Sequence, residues 1–150
     1  MIKVAIPITG KEEYRSIKKV IFDGNFVSGK NVDLFERKFS KYIGTKYAVC
    51  FNSGTAALHL AGIILNWKKN DIILTVPNTF VATVNSIIYS GATPDLVDIN
   101  PKTFNIDPFE VEKAITKKTK AIIPVHLFGQ TADIEQLKII TENKNISIVE

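Results

Sequence analysis

The stretch Tyr47-Ala48-Val49-Cys50-Phe51-Asn52-Ser53-Gly54-Thr55-Ala56-Ala57-Leu58-His59-Leu60 constrains this chain more than any other, because an apolar run suited to a buried strand passes directly into a helix at Ser53-Gly54-Thr55. Ser53 is a favoured N-cap, and the amides of Gly54, Thr55 and Ala56 then open the helix, where no preceding turn exists to accept from them. Such a junction seats an anion. A phosphate dianion placed there takes hydrogen bonds from the backbone and from the Thr55 hydroxyl, and the positive end of the helix dipole adds roughly 0.3–2 kcal/mol. Gly54 leaves no side chain in the way of close approach. From these residues alone, a plain capped strand-to-helix turn is the open alternative.

Composition narrows the rest. With 150 residues, 45% hydrophobic and 23% charged, the chain falls in the globular range and can bury one sizeable core. No apolar run approaches the roughly 20 residues that cross a bilayer, and the start Met1-Ile2-Lys3 lacks the apolar stretch of a signal peptide, so a cytoplasmic protein without a membrane partner is expected. Cys50, the single cysteine, sits in an apolar context and reads as a small core residue. Two histidines and one cysteine give no metal-ligand spacing. The net charge of +4 comes mainly from scattered lysines, with one denser cluster at Lys117-Lys118-Thr119-Lys120. Without an aromatic-interleaved basic stripe or a helix-turn-helix pattern, nucleic acid is not an expected partner.

From Lys46 onward, short apolar runs alternate with amphipathic segments, the pattern of a mostly parallel sheet flanked by helices. Strands are expected at 47–51, 71–76, 95–99, 121–125 and 146–149. Helices are expected at 55–66 and at 79–89, the latter with Phe80, Val84, Ile87 and Ile88 at helical spacing. Asp107, Pro108 and Glu110 make a cap, a first-turn proline and a capping-box pattern before Val111, and Asp133 with Gln136 repeats the device. Upstream, 11–22 and 32–43 read as two more helices around the turn-rich loop Asp23-Gly24-Asn25-Phe26-Val27-Ser28-Gly29-Lys30. Ligands in parallel sheets sit beyond the carboxyl ends of the strands. His126 closes a strand on that side, where it meets cofactor or substrate or serves as a structural histidine. The chain stops at Glu150, directly after the last expected strand, so truncation is expected.

Taken in order, Phe26-Val27-Ser28-Gly29, Leu34-Phe35-Glu36, Asn52-Ser53-Gly54-Thr55-Ala56-Ala57-Leu58, Pro77-Asn78-Thr79-Phe80-Val81-Ala82-Thr83, Gly91-Ala92-Thr93-Pro94, Val97-Asp98-Ile99, Thr119-Lys120-Ala121-Ile122-Ile123-Pro124-Val125-His126-Leu127-Phe128-Gly129-Gln130 and Ala132-Asp133 resemble the DegT/StrS family. These are aminotransferases that use pyridoxal phosphate and act mainly on nucleotide-linked keto sugars. The resemblance implies that residues 1–150 are part of the large cofactor-binding domain of a fold-type I transferase, with N-terminal helices and an active site at a homodimer interface. It implies that Gly54, Thr55 and Ala56 hold the cofactor phosphate and that Phe80 stacks on the pyridine ring; a core position in the helix is the alternative for Phe80. It also brings the loop of Ser28 and Gly29 toward the substrate, a ligand-free turn being the alternative.

The family continues past the equivalent of Glu150 with an aspartate that pairs with the pyridinium nitrogen and, later, a lysine that holds the cofactor, and neither is in this sequence. Lys46 and Lys120 lie at the wrong end of the sheet, and Lys68 and Lys69 read as solvated. The expected function is therefore the N-terminal part of an aminotransferase that moves an amino group, typically from glutamate, to a nucleotide-linked keto sugar, and that is inactive as an isolated chain. A non-catalytic cofactor-binding or dimerisation fragment and a part of a deoxysugar dehydratase relative are the alternatives. An ordinary dinucleotide-binding domain is disfavoured, because the Gly-x-Gly-x-x-Gly turn is missing.

Overall fold

The computed structural model describes residues 6–24 and 26–150. Asn25 and the Met1-Ile2-Lys3 start lie outside the described residues. The chain divides into two compact units, Met1–Cys50 and Phe51–Glu150.

The first unit holds α1 (Lys11–Asp23) and α2 (Lys30–Ile43), within two residues of the sequence expectation. Both end on left-handed glycines, Gly24 (φ 66°) and Gly44 (φ 82°), where a side chain would be strained. At the start of α1 the Gly10 amide donates to Glu13 Oε2 at 2.7 Å. Backbone hydrogen bonds, first from Glu13 itself and then from Gly10, hold the Glu13 carboxyl below its ordinary value. Neither helix contains a buried residue. Phe35 and Phe39 stack one turn apart, centroids 5.5 Å apart, on an open apolar stripe.

The expected strand at 47–51 is not formed. A strand exists only through a partner's backbone, and here the local polar groups are satisfied otherwise: Glu36 Oε1 accepts from the Cys50 amide at 2.8 Å, and the Thr45 hydroxyl donates to the Tyr47 carbonyl at 3.0 Å. Cys50 is exposed rather than a core residue, and Val49 is 67% exposed.

The second unit is a four-stranded, all-parallel sheet in the order β2-β1-β3-β4, with β1 at Ile72–Thr75, β2 at Thr93–Leu96, β3 at Thr119–Ile122 and β4 at Ser147–Ile148. Its helices are α3 (Gly54–Ile64), α4 (Ala82–Tyr89), α5 (Pro108–Ala114) and α6 (Ile134–Thr141). Alternation along the strands builds two cores. Ile73, Ala121 and Ile123 join Trp67, Ile87 and Ala92 on the α4 face, while Leu74 and Ile122 join Val111 and Leu137 on the α5/α6 face. Continuous apolar runs such as Ala121-Ile122-Ile123 are thus explained by a sheet covered on both sides.

Strand limits differ from expectation for local reasons. β2 begins earlier because the Thr93 amide pairs with the Asp71 carbonyl right after the left-handed Gly91 (φ 86°), and Asp98 Oδ1 turns the chain out by taking the Ile99 amide at 2.8 Å. β3 ends early because Pro124 has no N–H to continue the ladder. The Thr75 hydroxyl, fully buried, donates to the Ile123 carbonyl at 2.9 Å and holds β3 to β1 at that point. Thr75→Val, nearly isosteric, removes that donor and is expected to lower unfolding free energy by about 1–3 kcal/mol, with Thr75→Ser restoring most of it in a urea titration. The helix expected from residue 79 starts at Ala82, and its buried face is Ala82, Thr83, Ser86 and Ile87 rather than the set containing Phe80. The N-cap position is Val81 and carries no side-chain bond. The caps Asp107 and Asp133 do form, accepting from Phe109 at 2.9 Å and Gln136 at 3.0 Å. Glu110 pairs with Lys113 at 2.8 Å instead of closing a capping box.

Candidate functional site

The chain runs from β1 through α4 to β2, then returns to the other side of β1 as β3 and continues to β4. The winding direction therefore reverses between β1 and β3, and the loops leaving their carboxyl ends part to form the crevice where open parallel sheets bind ligands. The loop after β1 carries Phe80 and the loop after β3 carries His126. In a parallel sheet α4 must run counter to the strands, so its N-terminal end lies on this side. α3 packs on α4 through its C-terminal half: the Ser90 hydroxyl donates to the His59 carbonyl, and His59 meets Tyr89 edge-on at 5.8 Å. With its C-terminal end leading through Trp67 to the start of β1, α3 opens toward the same side as Phe80.

At that opening Ser53 caps α3, its hydroxyl accepting from the Ala56 amide at 3.2 Å. The expected trio of open amides is therefore reduced to a pair. Among the described residues, the Gly54 and Thr55 amides and the Thr55 hydroxyl have no protein partner. A Cβ built on Gly54 would meet no protein atom within 4 Å, so nothing in the fold itself demands glycine there. Phe80 is 77% exposed, which removes the core-packing alternative for it. An exposed benzyl ring thus lies on the same side of the sheet as two open amides and a hydroxyl, groups of the kind that meet aromatic and anionic parts of ligands.

Both ring nitrogens of His126 face protein atoms, as in the structural reading of that histidine. Its Nδ1 accepts from the Ala132 amide at 3.0 Å and its Nε2 lies 3.2 Å from Glu150 Oε2. Ser28 and Gly29 belong to the first unit, where Gly29 takes the N-cap position of α2 without a side-chain bond and both residues are exposed. Two positions escaped sequence reasoning. Asn105 is buried to 1% exposure, and its amide donates to the carbonyls of Gln130 at 3.1 Å and Thr131 at 3.0 Å while its oxygen accepts from the Leu127 amide at 3.0 Å. Phe128, at the tip of the loop so held, has φ 55° and meets Phe104 (φ 61°) edge-on at 6.3 Å. The only trace in the sequence is an amide set between apolar neighbours, Phe104-Asn105-Ile106. Among the described residues no group of three or more His, Cys, Asp or Glu could hold a metal, and no helix is long and apolar enough to cross a membrane.

A parallel α/β unit with open amides at the start of α3 and a switch point between β1 and β3 belongs to the class of open-sheet α/β domains that bind ligands at the carboxyl ends of their strands. Residues 7–150 match the model of the DegT/DnrJ/EryC1/StrS aminotransferase family, and the chain belongs to that family. It is 39% identical to the spore coat polysaccharide biosynthesis protein SpsC of Bacillus subtilis, over 97% of this chain and 38% of SpsC. It is 38% identical to dTDP-3-amino-3,6-dideoxy-alpha-D-galactopyranose transaminase of Aneurinibacillus thermoaerophilus, over 93% of this chain and 39% of the transaminase. Its structure is similar to that of GDP-4-keto-6-deoxymannose-3-dehydratase with a trapped PLP-glutamate geminal diamine, with a TM-score of 0.92 and 30% identity over 99% of this chain and 40% of the dehydratase. The chain thus spans about two fifths of the length of these relatives.

Proposed function

We propose that this chain forms the phosphate and ring seat of a cytoplasmic, homodimeric aminotransferase that uses pyridoxal 5′-phosphate and moves an amino group from glutamate to a nucleotide-linked keto sugar. The observation that carries this is the pair of unpartnered amides at Gly54 and Thr55, with the free Thr55 hydroxyl and the exposed Phe80 on the same side of the sheet. The residues fit the cofactor: the amides and hydroxyl supply donors for a phosphate, the empty space over Gly54 admits its oxygens, and Phe80 offers a face to the ring. Ala56 contributes through its place in the first turn rather than through its amide, which Ser53 occupies. When bound, the cofactor supplies an electron-accepting ring for carbon–nitrogen chemistry. The chain's part is to hold it by the phosphate and fix its tilt, with Ser28 and Gly29 proposed on the substrate side.

The transaminase relative named for a dTDP-amino sugar supports the substrate class, and the glutamate in the dehydratase structure supports the donor. On this proposal residues 1–150 bind the cofactor but do not transaminate alone, since Lys120 sits in the amino-terminal half of β3 and Lys68 and Lys69 are exposed in the turn after α3. The likeness to a dehydratase carries a second reading, in which the same seat serves removal of a sugar hydroxyl. A protein carrying this chain separates the two by releasing an amino sugar or a deoxy sugar from a nucleotide-linked keto sugar and glutamate.

The seat itself is tested with pyridoxal 5′-phosphate against pyridoxal, which lacks the phosphate. The chain is expected to prefer the phosphorylated form, and Gly54→Asp, which suits a first helical turn but sets a carboxylate against the phosphate, is expected to weaken it at least about tenfold. Equal affinity for the two compounds, or an unaffected Gly54→Asp variant, overturns the proposal.

A further inference from the structure

Both ring nitrogens of His126 are occupied by protein atoms, and the geometry fixes which one carries the proton. The Ala132 amide is a donor, so Nδ1, which faces it at 3.0 Å, must be the unprotonated acceptor. The neutral ring then carries its proton on Nε2 and donates it to Glu150 Oε2 at 3.2 Å. These two bonds join different parts of the molecule. Ala132 closes the loop that leaves the carboxyl end of β3, and Glu150 stands just beyond β4, whose ladder ends with the Val149 amide on the Ile122 carbonyl. β3 has no further ladder amide to give β4 here, because Pro124 lacks an N–H. The side chain that bridges the gap is His126.

We propose that His126 is a positioning residue and not a substrate contact: held as the Nε2–H tautomer by the Ala132 amide, it ties the loop after β3 to Glu150 and so sets the spacing of the carboxyl ends of β3 and β4 on the ligand side of the sheet. That this spacing serves catalysis rests on the function proposed above; the tie itself does not. It sets the Glu150 side chain on the Nε2–H of the ring, an arrangement that orients rings and carboxyl groups where chemistry needs fixed geometry.

The chain has two histidines, His59 and His126, so a long-range proton–nitrogen spectrum resolves each ring. His126 is expected as the Nε2–H tautomer. Asparagine places an acceptor near the Nδ1 position, and glutamine places a donor near the Nε2 position, so the two bonds can be removed separately. His126→Asn is expected to keep the slow exchange of the Ala132 amide while moving the amide resonances of Val149 and Glu150. His126→Gln is expected to leave those two resonances near their original positions while Ala132 exchanges at least tenfold faster. Glu150→Gln should resemble the parent and Glu150→Ala should resemble His126→Asn. An Nδ1–H tautomer in the parent chain, or β4 resonances indifferent to all four variants, overturns the proposal. In the same samples pyridoxal 5′-phosphate should move the Gly54 and Thr55 amides whatever stands at 126, so a failure of the cofactor seat shows separately from a failure of the tie.

Discussion

Gly62→Ala is expected to destabilise the second unit by about 1–3 kcal/mol, against the usual gain of roughly 0.5–1 kcal/mol when alanine replaces glycine inside a helix. Gly62 is the buried residue of α3, and a Cβ built on it would stand 2.2 Å from Ser90 Oγ, 2.6 Å from Trp67 Cε3 and 2.9 Å from Ser90 Cβ. The hydroxyl can rotate away, but the Ser90 Cβ and the indole cannot without moving α4 or the turn that enters β1. Trp67 belongs to the core on the α4 face, and its displacement would spread to Ile73 and Ile87. Larger residues cost more, so Gly62→Val should leave little folded protein. Thermal unfolding followed by circular dichroism and by the single tryptophan checks this, and a Gly62→Ala variant as stable as the parent would show that the helices pack less closely than described. Because the proposed phosphate seat lies at the other end of α3, any tilt that accommodates the methyl should also weaken cofactor binding. Stability and affinity are expected to fall together at this position, whereas Gly54→Asp should separate them.

What was legible in the sequence is what depends on neighbours along the chain. Asp107 and Asp133 announce their helices because a cap bonds an amide only two or three residues ahead. The open amides of Gly54 and Thr55 were legible for the same reason, while the Ala56 amide is not open because the Ser53 hydroxyl accepts from it. The apolar runs of β1 and β3 read as buried strands because both faces of each are covered. What depends on partners far along the chain was not. The run 47–51 has the composition of a strand, yet pairing is a property of two segments, and here Glu36 takes the Cys50 amide. The strand order that creates the switch point is non-local in the same way. Phe80 kept helical spacing with Val84 and Ile87, but the Thr83 amide turns back to the Phe80 carbonyl and the helix itself opens at Ala82, leaving the ring outside it. Asn105 has no periodic signature at all, since its partners stand 22 to 26 residues away.

Asn105→Asp is expected to be the most damaging single-atom change in the loops on the ligand side, and its cost should depend on pH. The side-chain nitrogen faces two carbonyl oxygens, at 3.1 Å and 3.0 Å, from a site 1% exposed. An aspartate replaces that donor with a charged acceptor against two acceptors, with no positive group in the bonds that hold it. Burial of an unpaired charge costs about 3–5 kcal/mol by the measure of broken buried pairs. A carboxyl can escape by keeping its proton, and from an ordinary value near 3.9 this costs about 4 kcal/mol at pH 7, which caps the loss. The folded state thus raises this carboxyl's pKa above the unfolded value. Its penalty is full above the raised pKa and fades as the pH falls toward 3.9, where the protonated group can still donate to one carbonyl. The variant should therefore lose about 3–4 kcal/mol relative to the parent at pH 7 and markedly less at pH 4.5, measured by urea unfolding of both proteins at each pH. Asn105→Ala, which leaves the same carbonyls and the Leu127 amide unpaired without adding charge, should lose about 2–3 kcal/mol at either pH. If the aspartate variant shows no pH dependence beyond that of the parent, water reaches Gln130 and Thr131, and the loop is held less by Asn105 than by its Phe104–Phe128 contact and the His126 bond to Ala132.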